Sequence, residues 1–200
     1  IGRQYPVAAG VVGDAKASLQ KLLAALKGFA GTPEFRDEMF SRKAAWKEAL
    51  LSGPIADTER TPVPPIALQR ELEKSLRENT VFCVDAGNPG AWTHYTTFPK
   101  GTAYMKPVNY GNMGFALGAA LGCKEASPDR EVVALIGDGS LGMTLGELES
   151  IAREKLAVTV LLVNDSAFGN IKQEELFKMG EGRYIGVEFP DYDYLSVAKA

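Results

Sequence analysis

The sequence predicts an α/β domain: doubly wound, with a mostly parallel sheet and helices on both faces. Three observations carry that prediction. "TVFCVDAG" (80–87), "REVVALIGDGS" (130–140) and "AVTVLLVNDS" (157–166) are short, apolar runs, each closing on glycine, aspartate or asparagine. Runs of this kind belong to strands covered on both faces. Between them lie "YGNMGFALGAALGCKEA" (110–126), rich in glycine and alanine and so open to close backbone approach, and the helix-like "TLGELESIAREKL" (144–156). Alternation of that sort needs crossovers between parallel strands.

Taken in order, "PVAAGV" (6–11) is small and apolar, like the end of a buried strand. "VGDAKASLQKLLAALKG" (12–28) follows, with Asp14 placed to cap a helix, Leu19, Leu22, Leu23 and Leu26 at helical spacing, and Gly28 as the stop. "EFRDEMFSRKAAWKEAL" (34–50) predicts a charged amphipathic helix. Pro54, Pro62, Pro64 and Pro65 then stiffen an extended linker. "PPIALQRELEKSLRENT" (64–80) predicts a helix with Pro65 in its first turn. The expected organisation is the end of one α/β domain (1–30), a helix and linker (31–61), and a second domain (62–200). The chain begins at Ile1 and stops at Ala200 inside a helix-like stretch, so it is expected to be part of something larger, cut short in its last domain.

Composition narrows the function. A formal net charge of −3, with no basic stripe, points away from nucleic acid. No apolar run approaches the length of a membrane span, and no signal peptide is visible. Cys83 and Cys123 lie in apolar or small-residue runs without a ligand cluster. They read as buried thiols, and the cytoplasm is the expected compartment.

Ligands of open parallel sheets bind at the carboxyl ends of the strands. Asp138 and Asp165 each lie just beyond a predicted strand, and a β–helix–β crossover brings two such ends to one edge. Their carboxylates suit Mg²⁺, which takes one or two protein carboxylates together with phosphate and water oxygens. Gly137 and Gly139 would let backbone N–H groups approach a phosphate, and Ser140 can donate a hydroxyl hydrogen bond to it. A lone Gly-Asp-Gly is also a common turn, in which Asp138 would merely cap the next helix. The paired motif tips the balance towards a metal and a diphosphate.

Gly137-Asp138-Gly139, then 24 residues, then Asn164-Asp165 resembles the signature of the thiamine-diphosphate-binding domain of the acetolactate synthase/pyruvate decarboxylase superfamily. "VDAGNPGAW" (84–92), "YGNMGFALGAALG" (110–122) and "NDSAFGNIKQ" (164–173) resemble three further segments of that family, in the same order. Residues 1–27 resemble the tail of its middle domain. The resemblance implies the thiamine-diphosphate-binding fold, with thiamine diphosphate and Mg²⁺ as cofactors, and leaves room for FAD in the intact protein. It implies that Asp138, Asp165 and the Ala167 carbonyl hold the metal. Gly87, Asn88, Gly139 and Ser140 would meet the diphosphate, the Gly111 carbonyl the aminopyrimidine, and Met113 the underside of the bent cofactor. Asp165 stands where asparagine is commoner, and Pro89 where many relatives have histidine. No catalytic residue is expected in this stretch. The activating glutamate would come from the pyrimidine-binding domain of a neighbouring subunit, in a homodimer or homotetramer, and Glu147, Glu149 and His94 are not given that role. The implied activity is decarboxylation or carboligation of a 2-keto acid such as pyruvate, as in acetolactate synthase. A benzoylformate or oxalyl-CoA-type decarboxylase, a glyoxylate carboligase, a pyruvate oxidase and a non-catalytic phosphate-binding module are the alternatives.

Overall fold

The computed structural model describes residues 2–57 and 59–200. Ile1, where the chain starts, and Thr58, within the predicted linker, lie outside the described residues, as does the side chain of Pro54. The chain forms two compact units, Ile1–Ala49 and Leu50–Ala200.

In the first unit, helix α1 (Ala15–Ala25) starts as predicted: Asp14 Oδ1 accepts from the Ala17 N–H at 2.8 Å. Residues 6–11 form no strand and are exposed. A strand needs a neighbour for its backbone groups, and none is present among the described residues of this unit. Helix α2 (Pro33–Ser52) forms, but it buries no residue, against the amphipathic packing that its sequence predicts.

The second unit holds the sheet. After a 3-10 turn at Pro54–Ala56 comes α3 (Pro65–Ser75), with Pro65 in its first turn and Ile66, Ala67, Gln69 and Leu72 buried. Four strands follow: β1 (Val81–Val84), β2 (Ala103–Met105), β3 (Val132–Gly137) and β4 (Val158–Val163). They pair in the order β2-β1-β3-β4, and every pairing is parallel. Between them lie α4 (Asn88–Trp92), α5 (Phe115–Ala126), α6 (Asp138–Met143) and α7 (Glu147–Arg153), followed by α8 (Gly169–Met179) and α9 (Tyr194–Lys199). The doubly wound α/β architecture is the one the sequence predicts.

Side-chain alternation along the strands builds two cores. Val81 and Cys83 of β1, with Val132, Ala134 and Ile136 of β3, pack against Ala116, Leu117 and Ala120 of α5. Phe82 and Val84, with Val133 and Leu135, face the opposite way onto Leu72 of α3. Phe82 also meets Phe98 and Tyr104, at ring separations of 5.1 and 6.2 Å. β4 differs from expectation. Its sequence predicts burial on both faces, yet Thr159 is exposed and the other five residues are only half-buried, because it is the outer strand of this sheet. Cys123 is likewise only half-buried, whereas Cys83 is fully buried, and neither forms a disulfide.

Candidate functional site: the carboxyl edge of the sheet

All four strands run the same way, so the loops after β1, β2, β3 and β4 emerge at one edge. That edge gathers the Gly87-Asn88 loop, the Gly137–Ser140 turn and the Asn164–Ala167 segment. Asp138 opens α6 and is buried, only 3% exposed. Burial pushes its carboxyl above the ordinary range, and the neighbouring charge of Asp165 adds to the shift. The crossover has therefore brought the two carboxylates together. Asp165 itself is exposed, and Ala167 is buried where its backbone bridges to Glu188.

Asn88 joins this group. A Cβ added at Gly169 would collide with the Asp165 carboxylate and lie 3.1 Å from Asn88 Nδ2. The missing side chain at Gly169 thus leaves room for the first loop and the metal-type carboxylate to stand over the start of α8. Gly87, at φ 92°, takes a backbone conformation that favours glycine.

Packing by itself requires glycine at 139, apart from the phosphate approach expected from the sequence. A Cβ there would lie 2.7 Å from the Phe168 ring and 3.2 Å from that of Phe189. Those rings pack edge to face, with centroids 4.5 Å apart. Gly137 is roomier, since its added Cβ would meet only Pro89 and Val163 near 4 Å. Ser140, cast as a phosphate donor, is buried and donates its hydroxyl to Asp85 Oδ1 at 2.8 Å. The sequence reading passed over Asp85. Its only signal there is a carboxylate at the end of an otherwise apolar strand.

Gly111 (φ 71°) is exposed, with nothing near its missing side chain, and Met113 is half-buried beside it. Both precede α5, whose start lies at the same edge. His94 is exposed, and its Nε2 is 3.5 Å from Lys106 Nζ. Glu147 and Glu149 are exposed on α7, Glu149 pairing with Arg153 at 3.3 Å. Next to the edge, a cavity of about 660 Å³ is lined by Leu141, Leu148, Leu162, Asn164 and Tyr194.

The donor set suits a hard divalent cation. Two adjacent carboxylates repel one another unless a cation or a proton lies between them. Among the described residues no cluster of three or more His, Cys, Asp or Glu forms. Two protein carboxylates fit a Mg²⁺ that takes its remaining ligands from phosphate and water better than they fit an all-protein cage. Among the described residues, no helix is long and apolar enough to cross a membrane.

Residues 85–200 match the family model described as thiamine pyrophosphate enzyme, C-terminal TPP binding domain. The chain is 29% identical over 187 residues to 2-hydroxyacyl-CoA lyase 2 of Bos taurus, covering 91% of this chain and 29% of that protein. It is 29% identical over 223 residues to sulfoacetaldehyde acetyltransferase of Alcaligenes xylosoxydans xylosoxydans, covering 100% and 37%. With the acetolactate synthase large subunit of Corynebacterium glutamicum it shares 30% over 205 residues, covering 98% and 32%. The thiamine diphosphate-dependent 4-hydroxybenzoylformate decarboxylase of Rhodococcus jostii RHA1 superposes with a TM-score of 0.61 at 26% identity, over 68% of this chain and 25% of that one. The chain spans about a third of the length of the curated relatives it matches. It belongs to the thiamine pyrophosphate enzyme family and carries that family's C-terminal, thiamine-pyrophosphate-binding domain.

Proposed function

We propose that this chain is the diphosphate- and metal-binding part of an enzyme that uses thiamine diphosphate and Mg²⁺ to decarboxylate or carboligate a 2-keto acid such as pyruvate, in the manner of acetolactate synthase. The observation that carries the reading is Asp138 and Asp165 side by side at the sheet's carboxyl edge, with Asn88 over the same glycine as Asp165. In this reading Asp138, Asp165 and the Ala167 carbonyl hold the metal. The Gly87-Asn88 loop and the backbone of Gly137–Ser140 receive the diphosphate. The Gly111 carbonyl accepts from the aminopyrimidine, and Met113 supports the bent cofactor from below.

When bound, thiamine diphosphate supplies a nucleophilic thiazolium carbon for attack on the carbonyl of a 2-keto acid. The residues of this chain would bind its diphosphate and metal and orient it. We assign no general acid or base of the reaction to this chain. The activating glutamate is assigned to the pyrimidine-binding domain of a neighbouring subunit, in a homodimer or homotetramer. A reducing cytoplasm suits the two free thiols.

Thermal unfolding of the full-length protein with thiamine diphosphate and Mg²⁺ tests this. Ligand at a hundred times its dissociation constant stabilises by about 2.7 kcal/mol, which raises the midpoint of a protein about three times as long as this chain by about 2 °C. The rise should need Mg²⁺, disappear in Asp138→Ala and be absent with inorganic pyrophosphate. An equal rise with pyrophosphate would instead favour a general phosphate-binding module. Pyruvate turnover should appear in the full-length protein and not in the 200 residues alone.

A further inference from the structure

We infer that Asp85 is a positioning residue that holds three separate loop segments of the site in one arrangement; the role rests on the cofactor reading above and deepens it. Asp85 follows β1 directly and is 0% exposed. A carboxylate buried that deeply needs its lone pairs filled by hydrogen bonds. Four donors fill them. Oδ1 accepts from the Ala86 N–H at 2.9 Å, the Gly114 N–H at 3.0 Å and the Ser140 hydroxyl at 2.8 Å. Oδ2 accepts from the Ala116 N–H at 2.8 Å.

The donors come from three places. Ala86 begins the loop that carries Gly87 and Asn88. Gly114 and Ala116 lie at the start of α5, immediately after Gly111–Met113, and their N–H groups belong to the electropositive end of a 12-residue helix. Ser140 lies two residues beyond Asp138. Asp85 is itself anchored to the sheet, since its own N–H donates to the Leu135 carbonyl at 3.0 Å. The first loop also folds back over it: a Cβ on Gly90 would lie 2.5 Å from the Asp85 carbonyl oxygen.

A local turn would need only Ala86, and a helix cap would need only Gly114 and Ala116. Neither explains a hydroxyl from a residue 55 positions away. One anion accepting from all three segments fixes their mutual spacing before any ligand arrives. Asparagine keeps the size but turns one acceptor into a donor, which would face the N–H or O–H groups that now donate to Asp85.

The test is amide hydrogen exchange on the full-length protein without cofactor. Asp85→Asn is expected to quicken exchange by about tenfold or more at 86–90, 111–117 and 138–141 together, while 81–84 and 132–136 keep their protection. Ser140→Ala should quicken 138–141 alone. Leu72→Ala, which weakens the opposite core, should instead act on the strands. In Asp85→Asn, the dissociation constant for thiamine diphosphate at saturating Mg²⁺ should rise by roughly 10–100-fold, the range for outer-shell partners. In Leu72→Ala it should change by less than about twofold, as expected for a distant site. Loosening of a single segment, or equal loosening of segments and strands, would overturn the inference, as would unchanged affinity in a folded Asp85→Asn. Should Asp85→Asn not fold, Ser140→Ala decides, and no change at 138–141 overturns the role. Failure of the unaltered protein to bind thiamine diphosphate would sink the cofactor reading, while the exchange pattern would still judge Asp85.

Discussion

Gly139 shows how one residue can serve a binding turn and a packing contact at once. Its hydrogen side chain lets Phe168 and Phe189 close over the turn that carries Asp138. Gly139→Ala should therefore cost about 1–3 kcal/mol through overpacking, read as a lower urea midpoint. Gly137→Ala, with only loose neighbours, should cost clearly less. Cys83 makes a different kind of prediction. Burial, with Cys123 beside it, pushes its thiol up from 9.0 to about 12. A pKa raised in the folded state means that its stabilising effect is intact below pH 9 and is lost as pH climbs from there towards about 12. The thermal midpoint should fall less between pH 8.5 and 10.5 in Cys83→Ala than in the unaltered protein, a comparison that lies within the same linkage argument. At pH 8 a thiol reagent should modify half-buried Cys123 long before Cys83. Site chemistry was readable at this scale only where a motif named the residue. Asp138 and Asp165 stand out by spacing, whereas Asp85 stands out by nothing but its neighbours in space.

At the scale of elements, the sheet is stapled at the edge opposite the site. Arg130 donates to the carbonyls of Asn79 at 2.6 Å, Gly101 at 3.1 Å and Thr80 at 3.3 Å, tying the starts of β1, β2 and β3 together. Charged donors to carbonyls are worth roughly 1.5–3 kcal/mol, so Arg130→Ala should lower stability by that order. Thiamine diphosphate affinity should stay unchanged, because the staple is a full strand length from the carboxyl edge. A parallel loss of affinity would count against treating the two edges as separate. The strands β1, β3 and β4 were legible from continuous apolar runs, and α1, α2, α3 and α7 from a cap, helical spacing and a first-turn proline; α5 was legible only as a glycine- and alanine-rich stretch. β2 was missed. It has three residues, is mostly exposed and sits at the sheet edge, so "AYM" carries no burial signal.

At the scale of the whole chain, the two units differ sharply in how much they bury. In Leu50–Ala200 two cores sandwich the sheet. In Ile1–Ala49 neither helix buries a residue, and Val12 and Leu23 are 89% and 71% exposed. Phe177, Tyr110 and Ile185 in the second unit are 92%, 91% and 88% exposed. Apolar surface on that scale favours association. The 200-residue chain should therefore sediment faster as its concentration rises, and constant monomeric sedimentation would contradict this. Limited proteolysis should cut within the first 49 residues before it reaches the sheet.

The sequence by itself determined the α/β class, the order of most elements, and the pair of motifs whose spacing spans one crossover. Those are local properties: periodicity, caps, turn residues and apolar runs are all written in consecutive positions. Only the tertiary structure decided that Asp138 is buried against the charge of Asp165, that Phe168 and Phe189 fill the space over Gly139, and that Asp85 accepts from three segments. Each of these joins groups tens of residues apart. A parallel sheet brings such groups to one edge through its crossovers, and no local stretch of chain records which of them will meet.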